Sequence, residues 1–489
     1  TRYWRDWSSD VCSSDLGNPG YSGIHSFRND PKLSGFSLAD TKRFVWDVLP
    51  TDVDFGVDGD LYWSDWVTTY NKTGKGRIYR LSPESRDAAE QAKVDEVRAL
   101  LAEGFGDLEL SSCVELLDHD DRRVREGAQR AFTTGLVRAG GSDSMVEETL
   151  ALVADRSLSH RSRTHLVRGI AAAARRDVRW SAAGMSFISM LDGAPPEFAI
   201  QLISGARESL DGALAWATGE DDRRSDPEAQ RFIELLKAGQ PAVLAALCDQ
   251  AASPAPHVRR VAVEALGALP AITSLEAGID PVGVILAVLD TDAEEDPWMR
   301  HTCIRALERL GAHKRLIGAA QSGPEHVRRA AVVIMRRAED PGVSAFLADP
   351  SPLVRAEAAR AIHDVPIAGA MADLAARLPY LRPDDETLTW RRVIQANREV
   401  GSSEAAQRLA DFAVRIDAVD ALRVEALQVL AGWSGARSRD GILMDHRPIE
   451  GGSTDAIAAL STHPVMDLAI IERSEEHTSE LQSRQYLVC

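Results

Sequence analysis

Ser351-Pro-Leu-Val-Arg-Ala-Glu-Ala-Ala-Arg-Ala-Ile-His363 is the stretch from which the fold is read. A hydroxyl just before a proline marks a helix start. Serine caps the first free N–H groups, and proline suits the first helical position. Val354, Ala358, Ala361 and Ile362 then share one face of an α-helix. The small residue four places after Val354 lets a partner helix approach closely. Arg355 is expected to point away from the deepest stripe. The stretch predicts the second, inward-facing helix of a packed pair, and Val343-Ser-Ala-Phe-Leu347 supplies the first.

The same pattern recurs at Val124, Val258, Met299, Val327 and Leu422. Each is followed by Arg: Arg125, Arg259, Arg300, Arg328 and Arg423. Four places on stand Ala128, Ala262, Cys303, Ala331 and Ala426. Asp296-Pro297 repeats the capping signal. Weaker copies are expected over Val146–Ala174, Ala182–Leu210 and Ala370–Val400. Repetition of this kind signals a helical solenoid, and the anchor pattern is that of HEAT repeats. The fold class expected is mainly α: a HEAT-repeat α-solenoid over residues 85–472, with about eight to ten helix pairs.

Residues 17–82 differ, being rich in Gly, Asp and aromatics. Thr51–Phe55, Leu61–Asp65 and Arg77–Leu81 read as strands, with Asp58-Gly59 as a tight turn. A β-meander is expected over residues 43–81, packed on the first helices near Val94–Leu101. The two ends read differently again. Arg473–Ser483 can be encoded by DNA whose reverse complement, one base along, encodes Asp6–Leu16. A sequencing adapter joined to both ends of an insert would produce that relation. Residues 1–16 and 473–489 therefore read as adapter-derived and are set aside, and the remainder is expected to be a fragment of a longer protein.

The formal net charge is −18, or −16 once the −1 of each end is removed. That balance argues against a nucleic-acid groove, which needs excess Lys and Arg. No apolar run is long enough to span a membrane. Cys113, Cys248 and Cys303 are far apart, with no CxxC or CxxCH, and read as buried free thiols. There is no P-loop, no dinucleotide fingerprint and no Ser/His/Asp grouping.

The join of the two parts carries a resemblance. Leu49-Pro-Thr-Asp-Val-Asp-Phe-Gly-Val-Asp-Gly-Asp-Leu-Tyr-Trp-Ser-Asp-Trp66 and Asn71–Arg80, followed by the repeats, resemble the PVC-type haem-binding CxxCH proteins, also called putative membrane-bound dehydrogenases. Asp296–His301, Arg391–Asn397 and Leu422–Leu427 resemble them too. The resemblance implies a β-propeller before the repeats and a cytochrome c domain after them. It implies a periplasmic or extracytoplasmic parent carrying haem c and a quinone cofactor. Residues 17–82 would then be the C-terminal end of the propeller. No CxxCH is present, so no haem ligand or catalytic residue carries over to a numbered position.

Candidate sites read blandly. Asp52, Asp54, Asp58 and Asp60 lack EF-hand spacing and suit an acidic hairpin turn. His301 and Cys303 face different sides of one helix. His257, His326 and His363 are expected at solvated helix ends, and Trp46, Trp63 and Trp66 in strand packing. The Arg column is expected to pair with acidic residues of the adjacent repeat. No residue is assigned a catalytic, cofactor-binding or metal-ligating role, and no cofactor is expected in this segment. It reads as a non-catalytic scaffold making protein–protein or interdomain contacts. The alternatives are the tail of a quinone-dependent sugar-dehydrogenase-like propeller enzyme and a HEAT-type lyase.

Overall fold

The computed structural model describes residues 5–10, 23–66, 74–218, 241–268, 279–292, 295–320 and 323–465. They divide into two compact units, one ending at Leu310 and one beginning at Gly311.

The first unit opens with strands. β1 (Arg5–Asp10), β2 (Gly23–Lys32) and β3 (Gly35–Trp46) form one antiparallel sheet. β4 (Pro50–Phe55), β5 (Leu61–Asp65) and β6 (Arg77–Leu81) form a second, the expected meander. The strand pairing of Arg5–Asp10, within residues set aside as adapter-derived, and the long β2–β3 hairpin were both missed. The hairpin's tip docks on the repeats. Ser34 N donates to Asp296 Oδ2 at 2.8 Å, and Arg260 Nε donates to Ser34 O at 2.8 Å. Leu33 beside it sits at φ +53°, a left-handed conformation uncommon for leucine.

The β4–β5 turn closes through Gly59 at φ +74°, a conformation glycine adopts without a Cβ clash. Asp60 beyond it is buried and accepts hydrogen bonds from Ser82, Arg80 and Arg86. Arg123 Nη1 donates to Gly56 O at 2.7 Å. A Cβ on Gly59 would lie 3.7 Å from Val94 of α1 (Ala88–Glu103), so the β4–β5 turn approaches the first helix, but Phe55, Ile78 and Leu81 stay exposed and the expected packing of the meander's apolar faces there is not seen. Its partners hold the Asp60 carboxyl at about 2, through the Ser82 hydroxyl first and then the guanidiniums, against the opposing effect of desolvation. A depressed folded-state value means stabilisation that is present above the unfolded value, 3.8, and lost as pH falls towards about 2. The difference in unfolding midpoint between wild type and Asp60→Asn should therefore shrink over that window, with hydrogen exchange of residues 50–81 as the local readout. A difference constant from pH about 6 to about 2 would remove Asp60 from this role.

Helices follow in pairs: α2 (Leu110–Leu116) with α3 (Arg122–Ala139), α4 (Asp143–Ala154) with α5 (His160–Ala174), and α6 (Ser181–Ser189) with α7 (Pro196–Thr218). Next come α8, described over 241–251, with α9 (Pro256–Ala268), and α10 (Pro281–Asp292) with α11 (Pro297–Arg309). The second helices form one layer, in which α3 touches α5, α5 touches α7, α7 touches α9 and α9 touches α11. The approach is close. A Cβ on Gly267 would lie 2.5 Å from the Ala306 Cα.

The second unit repeats the plan. α12 (His313–Ala320) precedes α13 (Glu325–Arg337). A 3-10 segment, Pro341–Ala348, precedes α14 (Pro352–Asp364). α15 (Ala368–Ala375) precedes α16 (Thr387–Val400), and α17 (Ser403–Ala413) precedes α18 (Asp420–Ala431). A short hairpin, β7 (Arg437–Arg439) and β8 (His446–Ile449), and α19 (Thr454–Ala458) close it. Ser351 caps α14 as read, accepting from Leu353 N and Val354 N.

All six anchors are buried on second helices: Val124, Val258, Met299, Val327, Val354 and Leu422. So are all six small residues four places on. The three weaker copies coincide with α4–α5, α6–α7 and α15–α16. The chain is a helical-repeat solenoid in each unit. Residues 466–489, including the second adapter-like end, lie outside the described residues.

Candidate functional site

The Arg column needs correction. Arg125 and Arg355 are buried, not directed outward. Arg125 Nη1 donates to His119 O and Asp120 O at 2.7 and 2.8 Å. Arg355 Nη1 donates to Asp349 O and Pro350 O at 2.8 and 2.9 Å. Arg259 and Arg328 reach Ser253 O and Gly323 O in the same way. Arg423 reaches back to Ala413 O, the end of its own first helix. The last carbonyls of a helix and the turn after it have no helical partners, and the arginine fills that need. The expected pairing with acidic residues of the adjacent repeat is seen at two positions: Arg328 binds Asp349, and Arg355 binds Asp384 and Asp385, each in the following pair, whereas Arg423 pairs with Asp420 of its own helix.

One groove in the first unit concentrates positive charge. Arg122, Arg125, Arg161 and Arg168 line it with His160, His165 and Thr164, and Glu126 is the one carboxylate among the lining residues. The groove encloses about 490 Å³. His165 is held at about 4, by burial first and then by Arg125 and Arg168, so its ring stays uncharged at neutral pH. Its Nδ1 lies 2.7 Å from Gln129 Oε1.

The second unit holds a buried charge cluster. His363 and Asp364 end α14, Glu399 lies in the last turn of α16, and Asp440 and Arg447 come from the β7–β8 hairpin. His363 Nδ1 lies 3.1 Å from Asp364 Oδ1. Arg392 holds both Asp364 oxygens at 2.9 Å. Burial pushes the Asp364 carboxyl up, but the bonds from His363 and Arg392 win and hold it well below the usual range. Asp440 Oδ1 accepts from Ile442 N and Leu443 N at 2.7 and 2.6 Å. These N–H groups outweigh its burial and hold it low too. Arg447 Nη1 donates to Glu399 Oε1 at 3.0 Å and to His363 O at 2.9 Å.

His363 is fully buried, which corrects the expectation of a solvated helix end; His326 is also buried. His257 is half-buried, its ring 5.0 Å from that of Phe36. Buried Trp63 stacks on Tyr79, half-buried Trp46 packs on His25, and Trp66 is exposed. Asp52 and Asp54 bind their own following N–H groups, and Asp58 accepts from Tyr62 and from Asp60 N. The acidic turn is thus occupied by its own partners. Cys113 and Cys303 are buried and Cys248 is half-buried, none of them in a disulfide; His301 is exposed. The sequence could not join His363 to Glu399 and Asp440, because they lie on separate elements with no shared motif.

No protein-family model matches the chain, and no curated protein matches it. Among solved structures it is similar to a Kap121p mutant, at 14% identity and a TM-score of 0.45, over 71% of this chain and 40% of that one. It is also similar to importin beta, at 12% identity and a TM-score of 0.32, over 71% of this chain and 53% of that one. The chain thus spans about half or less of the length of these structures. No described helix is long and apolar enough to cross a membrane.

Proposed function

We propose that this chain is a non-catalytic interaction scaffold, and that the groove between α3 and α5 receives an acidic protein surface. The observation that carries this is the lining itself. Four arginines line the groove with Glu126 as the one carboxylate among the lining residues, though Arg161 also lies 3.8 Å from Asp120, in a chain whose net charge is −18. Charge complementarity of this kind sets partner choice and association rate more than raw affinity. By the resemblance, the scaffold belongs to a larger extracytoplasmic, dehydrogenase-like electron-transfer protein. The β4–β6 meander would be the end of its propeller, and haem c and a quinone would belong to the parent. The acidic partner would then be a neighbouring domain or protein of that system.

The test is titration of a fluorescent glutamate-rich peptide. Arg122→Glu with Arg161→Glu should weaken binding by about tenfold or more, and added salt should do the same. Both arginines are partly exposed, so the fold should survive. Binding unaffected by either change would refute the groove.

A further inference from the structure

The second unit's buried cluster has a feature that its internal hydrogen bonds do not explain. His363 Nε2 is buried and makes no hydrogen bond. It is aimed at two carboxylates, lying 3.3 Å from Asp440 Oδ2 and 3.8 Å from Glu399 Oε1. On the other side of the ring, Asp364 accepts from Nδ1. That bond places a proton on Nδ1, and in the neutral imidazole Nε2 then carries a lone pair. A lone pair facing two carboxylate oxygens is repulsive unless a positive charge lies between them.

We propose that His363 Nε2, Glu399 Oε1 and Asp440 Oδ2 bind a divalent transition-metal ion, with zinc as the natural probe. The three atoms lie within 4.8 Å of one another. Bonds of about 2.0–2.2 Å from imidazole nitrogen and carboxylate oxygen to a tetrahedral zinc place ligand atoms about 3.3–3.6 Å apart. The two distances from His363 bracket that range. The supporting shell is of the kind such sites need. A carboxylate on the far ring nitrogen fixes the tautomer and raises the basicity of the ligating one. Asp364 does this here and is itself held by both arms of Arg392. Asp440 is fixed through Oδ1 by two backbone N–H groups, which leaves Oδ2 to the metal.

The backbone adds to the attraction. His363 and Glu399 stand in the last turns of α14 and α16, and the C-terminal end of a helix carries partial negative charge. Arg447 Nη1 contacts the same two carboxylates, at 3.0 Å to Glu399 Oε1 and 3.4 Å to Asp440 Oδ2. A carboxylate oxygen has two lone-pair directions, so one can serve the guanidinium and the other the metal. Glu399 is the partly exposed ligand, at 13%. The ion would tie α14 and α16 to the β7–β8 hairpin. A proton on Nε2 is the competing occupant, and it would complete a third ion pair in the cluster.

The whole chain, stripped with chelator and dialysed, should take up about one equivalent of Zn2+ and melt at a higher temperature with it. Co2+ in its place should give the intense visible bands of a tetrahedral site. Glu399→Gln should weaken Zn2+ binding by about tenfold or more and shrink the rise in melting temperature that Zn2+ gives over the variant's own apo form. His363→Gln should abolish the cobalt bands. Absence of Zn2+ uptake would mean that a proton fills the gap and would overturn the proposal. Equal uptake by wild type and both variants would place the metal elsewhere and overturn it as well.

Discussion

Val354→Asp should unfold the repeat around α14 and weaken its neighbours. Val354 is fully buried, in one cluster with Ala358, Ile362, Leu374 and Val393. Losing its burial forfeits about 1.5–3 kcal/mol. A buried polar group without a partner adds about 2–7 kcal/mol, and an ionised carboxylate more. Domains are stable by only about 5–15 kcal/mol, so the sum rivals the whole. Solenoid repeats support one another through nearest-neighbour contacts, and α14 touches α13 and α16. Hydrogen exchange should therefore show lost protection from α13 through α16, with a lower and broader thermal transition. Val354→Ala should give a smaller loss of the same shape. An aspartate variant that melts like wild type would mean that the anchor pattern does not mark the core.

Arg355→Ala is expected to cost about 3–5 kcal/mol, the usual penalty for removing one partner of a buried ion pair. The arginine and Asp385 side chains are 3% and 1% exposed, with Nε 2.6 Å from Oδ1. The same guanidinium also satisfies the Asp349 and Pro350 carbonyls. Truncation leaves a buried carboxylate and two carbonyls without their donor. Arg355→Lys should not rescue, since an ammonium cannot span the forked geometry. Arg355→Met with Asp385→Leu should recover part of the loss, because the stranded charge is gone. Urea titration of the set is the measurement. A double variant no better than Arg355→Ala would show that the carbonyl contacts, not the ion pair, carry the cost.

These two neighbours divide what was legible in the sequence from what was not. Val354 could be placed from spacing alone. An apolar residue with small and apolar partners on one helical face has a single use, and its repetition identifies the layer. The Ser351 and Asp296 caps, the Asp58-Gly59 turn and the three meander strands were legible for the same reason, since each is a local conformational preference. Arg355 was misread. Its position off the deepest stripe suggested solvent, yet the carbonyls of the preceding turn draw it inward. A guanidinium at the end of a long stem can be buried wherever it finds enough acceptors.

By itself, the sequence determined the repeat class, the positions of the inward-facing helices, the three-stranded meander and the dissimilarity of residues 17–82 from the repeats. All of these follow from periodicity and turn chemistry acting over a few residues. Tertiary structure alone decided where separate elements meet. It seats Ser34 against Asp296, 262 residues away in sequence. It sets Arg122 and Arg125 beside Arg161 and Arg168 across two helices. It joins His363 to Glu399 and to Asp440 from a late hairpin. No spacing rule links such residues, because the distance between them is set by the packing of whole helices and not by the rise of any one of them.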